Sequence, residues 1–322
     1  MPNKPYLRVI GYALLLLPLA VVWYYFPKLK TLFTHPAHFL EVLMNASGLA
    51  AFSVQFVLVN VEMLFLAALV DLIALGWSHS ALRRLFHLNS ASARGDMWCW
   101  VLSVLNLYDL VVLLVSFGIF YLLTGLLQKA GGFHLIELVP GTVLPFVIIF
   151  ILGDLKQYLW HRFMHLGPMW ELHHYHHSAT EFNLITSARG HFLEKGILTL
   201  FDGILFGLLG APPAFFISFI LLKEFYNYLL HSNVGWTLGW VGRYLLVSPR
   251  AHTLHHSNEA KHFNKNFGTF FVFWDRLFGT YAETRQAITL GVKDSYYNHK
   301  GFWMDMLEGT RRFLRACVGK HD

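Results

Sequence analysis

His161-Arg-Phe-Met-His165-Leu-Gly-Pro-Met-Trp170-Glu-Leu-His173-His174-Tyr-His176-His177 starts where the apolar run Thr142 to Leu159 ends. That junction decides the fold. The run is close to the length a bilayer-spanning helix needs. The histidines beyond it recur three or four residues apart, the spacing that puts side chains on one helix face. The chain is therefore read outward from a membrane helix that delivers a histidine-bearing helix just past its end.

Composition agrees with the membrane half of that reading. Hydrophobic residues make up 55% of the 322, charged residues 14%, and the mean hydropathy is +0.46, far from the balance of a water-soluble domain. The net charge of +6 fits loops held at an anionic membrane surface. No basic cluster sits in a nucleic-acid-binding motif, so nucleic acid is not expected as a partner. Two cysteines, Cys99 and Cys317, supply neither a disulfide framework nor a thiolate metal site.

The expected fold class is all-α: an integral membrane bundle of about four spanning helices plus a helical hairpin, carrying a cytoplasmic, histidine-rich helical cap. The spans are predicted at Tyr6 to Phe26, Ala50 to Trp77, Met97 to Thr124 and Thr142 to Leu159. A cleaved signal peptide competes for the first, but the run is long and no small-x-small cleavage site follows it. Glu62 and Asp71 fall inside the second, where a charge is costly and points into the bundle. Gly196 to Leu230 is apolar but broken by Gly210-Ala-Pro-Pro213, which predicts two short helices folded back on each other. Arg83, Arg84 and Arg94 crowd the loop between the second and third spans. The positive-inside rule then puts that loop, the N-terminus and the exit of the fourth span in the cytoplasm. Residues 1–140 are read as N-terminal spans, 141–285 as a di-metal catalytic region and 286–322 as a cytoplasmic tail.

The histidine spacing carries the chemistry. His161 and His165 stand four apart, and His173, His176 and His177 form an H-x-x-H-H triplet that returns as His252, His255 and His256. His231, one turn after Asn227, adds another imidazole. In the first triplet the register is ambiguous, since His174 and His177 are also three apart. The second triplet has only one register, and by analogy His174 is set aside. Nine imidazoles exceed what one ion with an open position can use, so two metals with four or five each are expected. Imidazole alone suits iron, zinc, copper or nickel. His161 and His165 have the spacing of a zinc protease, but Arg162 stands where the glutamate base belongs. Asp154, Tyr158, His161 and His165 form one helical stripe, and Glu224, Asn227 and His231 a second. Asp154 is placed to take the second ring N–H of a metal-bound histidine. Glu224, Asn227 and Asp275 join it as expected groups around the metals, and no catalytic acid or base is assigned.

These motifs, with Trp170-x-x-His173, His231-Ser-Asn, Asn266-Phe-Gly268 and Trp274-Asp-Arg-Leu-Phe-Gly-Thr280, resemble the fatty acid hydroxylase and sterol desaturase superfamily of membrane di-iron enzymes. The likeness runs over about residues 145–281. The stretch from Trp170 through Phe182, Asn183 and Arg189 looks most like the alkylglycerol monooxygenase branch, from which Leu166 departs where Glu is usual. His191 stands where sterol-type members carry a histidine, but Phe192 rather than proline follows, and it is not carried over as a ligand. The resemblance implies two iron ions, O2 as co-substrate and hydroxylation of an unactivated C–H bond of a lipid. A desaturase on the same scaffold is the near alternative. A histidine-rich zinc-binding or transport protein is the alternative from another class, although transporters place ligands near the bilayer midplane. No dinucleotide loop or iron–sulfur cysteine cluster is present. Electrons are therefore expected from a separate partner, cytochrome b5, a ferredoxin or a reductase, or from a reduced pterin.

Overall fold

The computed structural model describes Tyr24 and residues 46–105, 107–108, 136, 138–209 and 213–319. The span expected at Tyr6 to Phe26 and most of the one at Met97 to Thr124 lie outside these residues. The run with no internal Pro or Gly break after Gly48 forms one long helix, α1 (Ala46–Leu75). It ends at Gly76, whose φ of 69° suits a residue without a Cβ. Two short helices follow, α2 (Ala81–Leu85) and α3 (Ala91–Val104), each opened by a serine whose hydroxyl accepts an amide of the first turn, Ser80 from Arg83 and Ser90 from Ala93. Asp71, inside α1, accepts the Ala81 amide at 2.7 Å. Its burial thus has a structural use, bracing one helix against the start of the next.

The fourth apolar run forms α4 (Val143–Met164) and extends five residues past its predicted end, to carry His161. Gly167, with φ of 48°, and Pro168 then reverse the chain into α5 (Met169–His177). The hairpin region gives α6 (Phe192–Leu209) and α7 (Pro213–Leu230). Then come α8 (Gly239–Tyr244), α9 (Pro249–His255), α10 (Phe273–Leu277) and α11 (Phe302–Cys317). Among the described residues there is no strand, only two isolated β-bridges.

Two helical segments, Val57–Leu75 and Val143–Met164, are long and apolar enough to cross a membrane. Their outward faces are themselves apolar: Leu58, Val61 and Phe65 on α1, Val143, Leu144 and Val147 on α4 are all exposed. Such a surface suits lipid better than water. Inside a bilayer hydrophobicity does not drive helices together, so close packing has to. α1 supplies Val59, Met63, Ala67 and Val70 against Leu221, Leu222, Phe225 and Leu229 of α7. Gly153 of α4 lets Phe219 of α7 approach so nearly that a Cβ would meet its ring at 3.0 Å.

The segments around α5 are tied to α3 by Arg189, which is almost wholly buried. Its guanidinium donates to Asp96 and Ser92 of α3, to the Tyr175 carbonyl, to Ser178 and to Asn298. Asp96 in turn accepts from Asn183 and Thr186. Removing one partner of a buried ion pair leaves the other charge uncompensated. Asp96→Ala should therefore destabilise by about 3–5 kcal/mol, visible as a lower thermal midpoint of the solubilised protein. An unchanged midpoint would mean that the guanidinium finds another counter-ion.

Candidate metal centre

Three short segments converge beneath the helix feet. α4 brings His161 and, as its terminal cap, His165; α5 brings His173, His176 and His177; α9 brings His252 and His255, with His256 at its end. Ser248 caps α9 and Pro249 occupies its first turn, so this seven-residue helix starts where its register requires. His231 follows the last residue of α7 directly.

The nine rings divide into two adjoining groups. His161, His165, His173, His177 and His255 form one, and His176, His231, His252 and His256 the other; within each, one ring nitrogen per residue lies within 4.8 Å of all the rest. The ring centroids of His177 and His256, one from each group, are 4.3 Å apart. The helical triplets are used in complementary ways. In α5 the residues four apart, His173 and His177, face the first group while His176 turns to the second. In the later triplet His252 and His256 face the second group and His255 turns to the first.

What holds the rings is also what aims them. A carbonyl or carboxylate can only accept, so the ring nitrogen facing it carries the proton and the other keeps its lone pair. His161 Nδ1 donates to the Phe267 carbonyl at 2.9 Å, His255 Nδ1 to the Lys265 carbonyl at 2.7 Å and His173 Nδ1 to Glu194 at 2.7 Å. In the second group His176 Nδ1 donates to the Arg189 carbonyl and His231 Nδ1 to the Asn227 carbonyl. All five Nε2 atoms of the first group are buried without a hydrogen-bond partner among the described residues, as are both nitrogens of His256 and Nδ1 of His252. In the second group His231 Nε2 and His252 Nε2 meet head-on at 3.0 Å. Buried polar atoms are normally paired. So many lone pairs aimed at two points fit two cations held by nitrogen alone.

Metal-binding imidazoles must be neutral, and burial favours that form. Burial pushes His255 down to about 3, against the Lys265 carbonyl, and His231 down to about 4, against the Asn227 carbonyl. His165, His176, His177, His252 and His256 are all held well below the ordinary value by burial and then by neighbouring imidazoles.

His174 lies outside both groups, stacked on Trp170 at 5.6 Å and edge-on to Tyr296. His191 also lies apart, its Nε2 donating to the Met306 carbonyl. Asp154 does not take a histidine N–H. Its carboxylate accepts the amides of Phe270 and Phe271 and the Trp274 indole, because its side of α4 faces that loop. Asp275 accepts the amides of Phe267 and Gly268 and the Thr280 hydroxyl. Asp275, by holding the amides on either side of it, thus positions the Phe267 carbonyl that orients His161. Asn227 acts through its backbone carbonyl, and Glu224 stands 3.7 Å from Lys223. The carboxylate that does meet a ring is Glu194, in the first turn of α6, unassigned from sequence because 21 residues separate it from His173. Partners of this kind tune affinity by about 10–100-fold. Glu194→Gln should weaken metal binding within that range in a chelator competition, and unchanged affinity would make the contact incidental.

A cavity of ≈ 300 Å³ opens beside the histidines and is lined by His161, His173, His176, His231 and His252 and by residues of α1, α3, α4, α6 and α7.

Residues 146–280 match the fatty acid hydroxylase family. The chain is 29% identical to the alkylglycerol monooxygenase of Danio rerio over 162 residues, 50% of this chain and 36% of that protein. It is 31% identical to the alkylglycerol monooxygenase of Caenorhabditis elegans over 144 residues, 44% of this chain and 28% of that one. It is 27% identical to the ornithine lipid hydroxylase OlsE of Rhizobium tropici over 176 residues, 54% of this chain and 53% of the relative. The chain thus spans about a third of the alkylglycerol monooxygenases and about half of the ornithine lipid hydroxylase. No solved structure matches it.

Proposed function

We infer that this chain, whose residues 146–280 match the fatty acid hydroxylase family, is a membrane oxidoreductase that hydroxylates a lipid with O2 at two iron ions. One observation carries this reading: two adjoining all-imidazole groups, of five and four nitrogens, open onto a cavity between apolar helices. Imidazole sets without thiolate are compatible with iron, and the relatives' names are those of lipid hydroxylases. The reaction consumes a C–H bond, O2, two electrons and two protons, and yields an alcohol and water.

Bound iron would supply the activation of O2. The chain's own residues do the rest. The Phe267, Lys265, Arg189 and Asn227 carbonyls and Glu194 keep the proton of five rings, His161, His255, His176, His231 and His173, on Nδ1, so their Nε2 atoms stay lone-pair donors. Burial favours neutral rings over protonated ones. The cavity, lined by residues of α1, α3, α4, α6 and α7, admits the substrate. Electrons come from a separate donor, a small redox protein or a reduced pterin, on a cytoplasmic cap; the arginines of the 78–96 loop support that orientation.

The test is metal analysis and O2 uptake of protein purified from iron-replete cells. Two irons per chain and lipid-dependent O2 uptake are expected. One stoichiometric zinc with no O2 consumption on any lipid would favour a zinc-binding or transport role instead.

A further inference from the structure

α11 (Phe302–Cys317) lies beyond the residues that match the family and contributes to neither histidine group. One side of it packs inward. Phe302 and Met306 join Tyr175 of α5 in one buried cluster, and Phe313 reaches a second that holds Trp160 and Met164, near the end of α4, and Leu193 of α6. Since α4 is long and apolar enough to cross a membrane, α11 is seated at the level where that helix ends.

The opposite side is apolar too. The residues α11 exposes are Trp303, Met304, Leu307, Arg311, Leu314 and Cys317. Trp303 is 60% exposed, Leu307 61% and Leu314 58%, and the three fall on one narrow stripe of the helix surface. Trp98 of α3, itself exposed, extends the stripe, its rings 6.0 Å from Phe302 and 6.1 Å from Trp303. The charge exposed on this side is a cation, Arg311. Asp305 is buried and accepts the Asn298 amide. Glu308 is shared by Arg311 at 3.1 Å and Arg312 at 2.8 Å, and one carboxylate between two guanidiniums leaves that flank net positive.

A contiguous apolar stripe of this kind marks a contact surface rather than a face for water. The hydrocarbon core does not suit it, because 16 residues are too few to span and the helix carries Asp305, Glu308 and three arginines. The boundary between the two does. There an apolar face sinks to the level of the acyl chains, tryptophan is at its preferred depth, and a guanidinium meets phosphate with matching geometry.

We propose that α11 is an interfacial helix, its Trp303, Leu307 and Leu314 stripe immersed in the headgroup boundary of an anionic leaflet and Arg311 directed to lipid phosphate. Because Phe302 and Met306 pack with Tyr175, the bilayer surface then braces the helix that carries His173, His176 and His177. The inference needs a membrane-embedded chain and is independent of the reaction it catalyses.

The test is nitroxide labelling of the full chain in vesicles, read as accessibility to O2, which concentrates in hydrocarbon, against a water-soluble nickel chelate. The labelled variants are Leu307→Cys and Leu314→Cys, each with Cys317→Ser; Cys99 is buried and should not label. Glu283→Cys, at an exposed position, is the aqueous reference, and Phe65→Cys, exposed on α1, the lipid reference. Both α11 labels should show O2-to-nickel ratios severalfold above the aqueous reference. The ratios should rise again when phosphatidylglycerol is added to phosphatidylcholine, and Arg311→Glu should abolish that rise. Ratios equal to the aqueous reference would overturn the proposal. So would labels shielded from both reagents, the signature of a protein partner or a second copy on the stripe, and indifference to phosphatidylglycerol would overturn the anionic assignment. If Phe65→Cys also reads as aqueous, the chain is not embedded and the proposal falls with that premise.

Discussion

His255→Ala should abolish lipid oxygenation and strip metal from the protein while leaving its helices folded. His255 is the link between the two halves of the site. Its Nε2 belongs to the first group, its Nδ1 is anchored to Lys265, and its ring lies 4.4 Å from His161, 4.6 Å from His177 and 5.3 Å from His256. Alanine would remove a ligand and leave the Lys265 carbonyl without its donor. Since even an outer partner is worth about 10–100-fold, losing a direct ligand should exceed the top of that range. His176→Ala tests the second group in the same way. His174→Ala is the control, because His174 is buried in the same helix but lies outside both groups. Metal content by mass spectrometry and helicity by circular dichroism separate the outcomes. Normal turnover in His255→Ala or His176→Ala, or metal loss in His174→Ala, would contradict the ligand assignment.

The spacing of His252, His255 and His256 permits one helical register only, which is why all nine histidines were legible in sequence as sharing a region. Their division was less so. Residues i and i+4 of α5 serve one group and those of the later triplet serve the other, a choice made by the crossing of the two helices and invisible to either segment alone. The orienting groups were harder still. Phe267, Lys265, Arg189 and Asn227 act through backbone carbonyls, and a carbonyl has no identity in sequence. Asp154 shares a helical stripe with His161, and that stripe is broad enough for its carboxylate to face the 270–274 loop instead. Glu194 carried a usable signal, a carboxylate in the first turn of the helix after the second histidine segment, but only folding brings it to His173. Lys195 and Lys223 each stand beside a glutamate in an otherwise apolar stretch. The cavity between α6 and α7 shows them to be wall residues of one site.

Acid should dismantle the centre before it unfolds the membrane helices. A free imidazole titrates near pH 6.5, whereas His231 and His255 are depressed to about 4 and about 3 by burial. A depressed histidine pKa means that the unfolded chain binds protons first, so stability falls as pH drops through the unfolded value and goes on falling until the folded value is reached. At about 1.4 kcal/mol per pKa unit, His231 alone accounts for roughly 3 kcal/mol across that window. His174 and His191, each depressed to about 4 with burial as the leading cause, add to the loss without touching metal. Bound metal competes with protons for the same lone pairs, which shifts release to lower pH but does not prevent it. Dialysis at pH 5 should therefore lower metal content and thermal midpoint relative to pH 7.5. Return to neutral pH with ferrous iron should restore both, because the carbonyls that orient the rings do not titrate. A midpoint flat between pH 7.5 and 4.5, with metal retained throughout, would mean that the imidazoles are not the groups holding it.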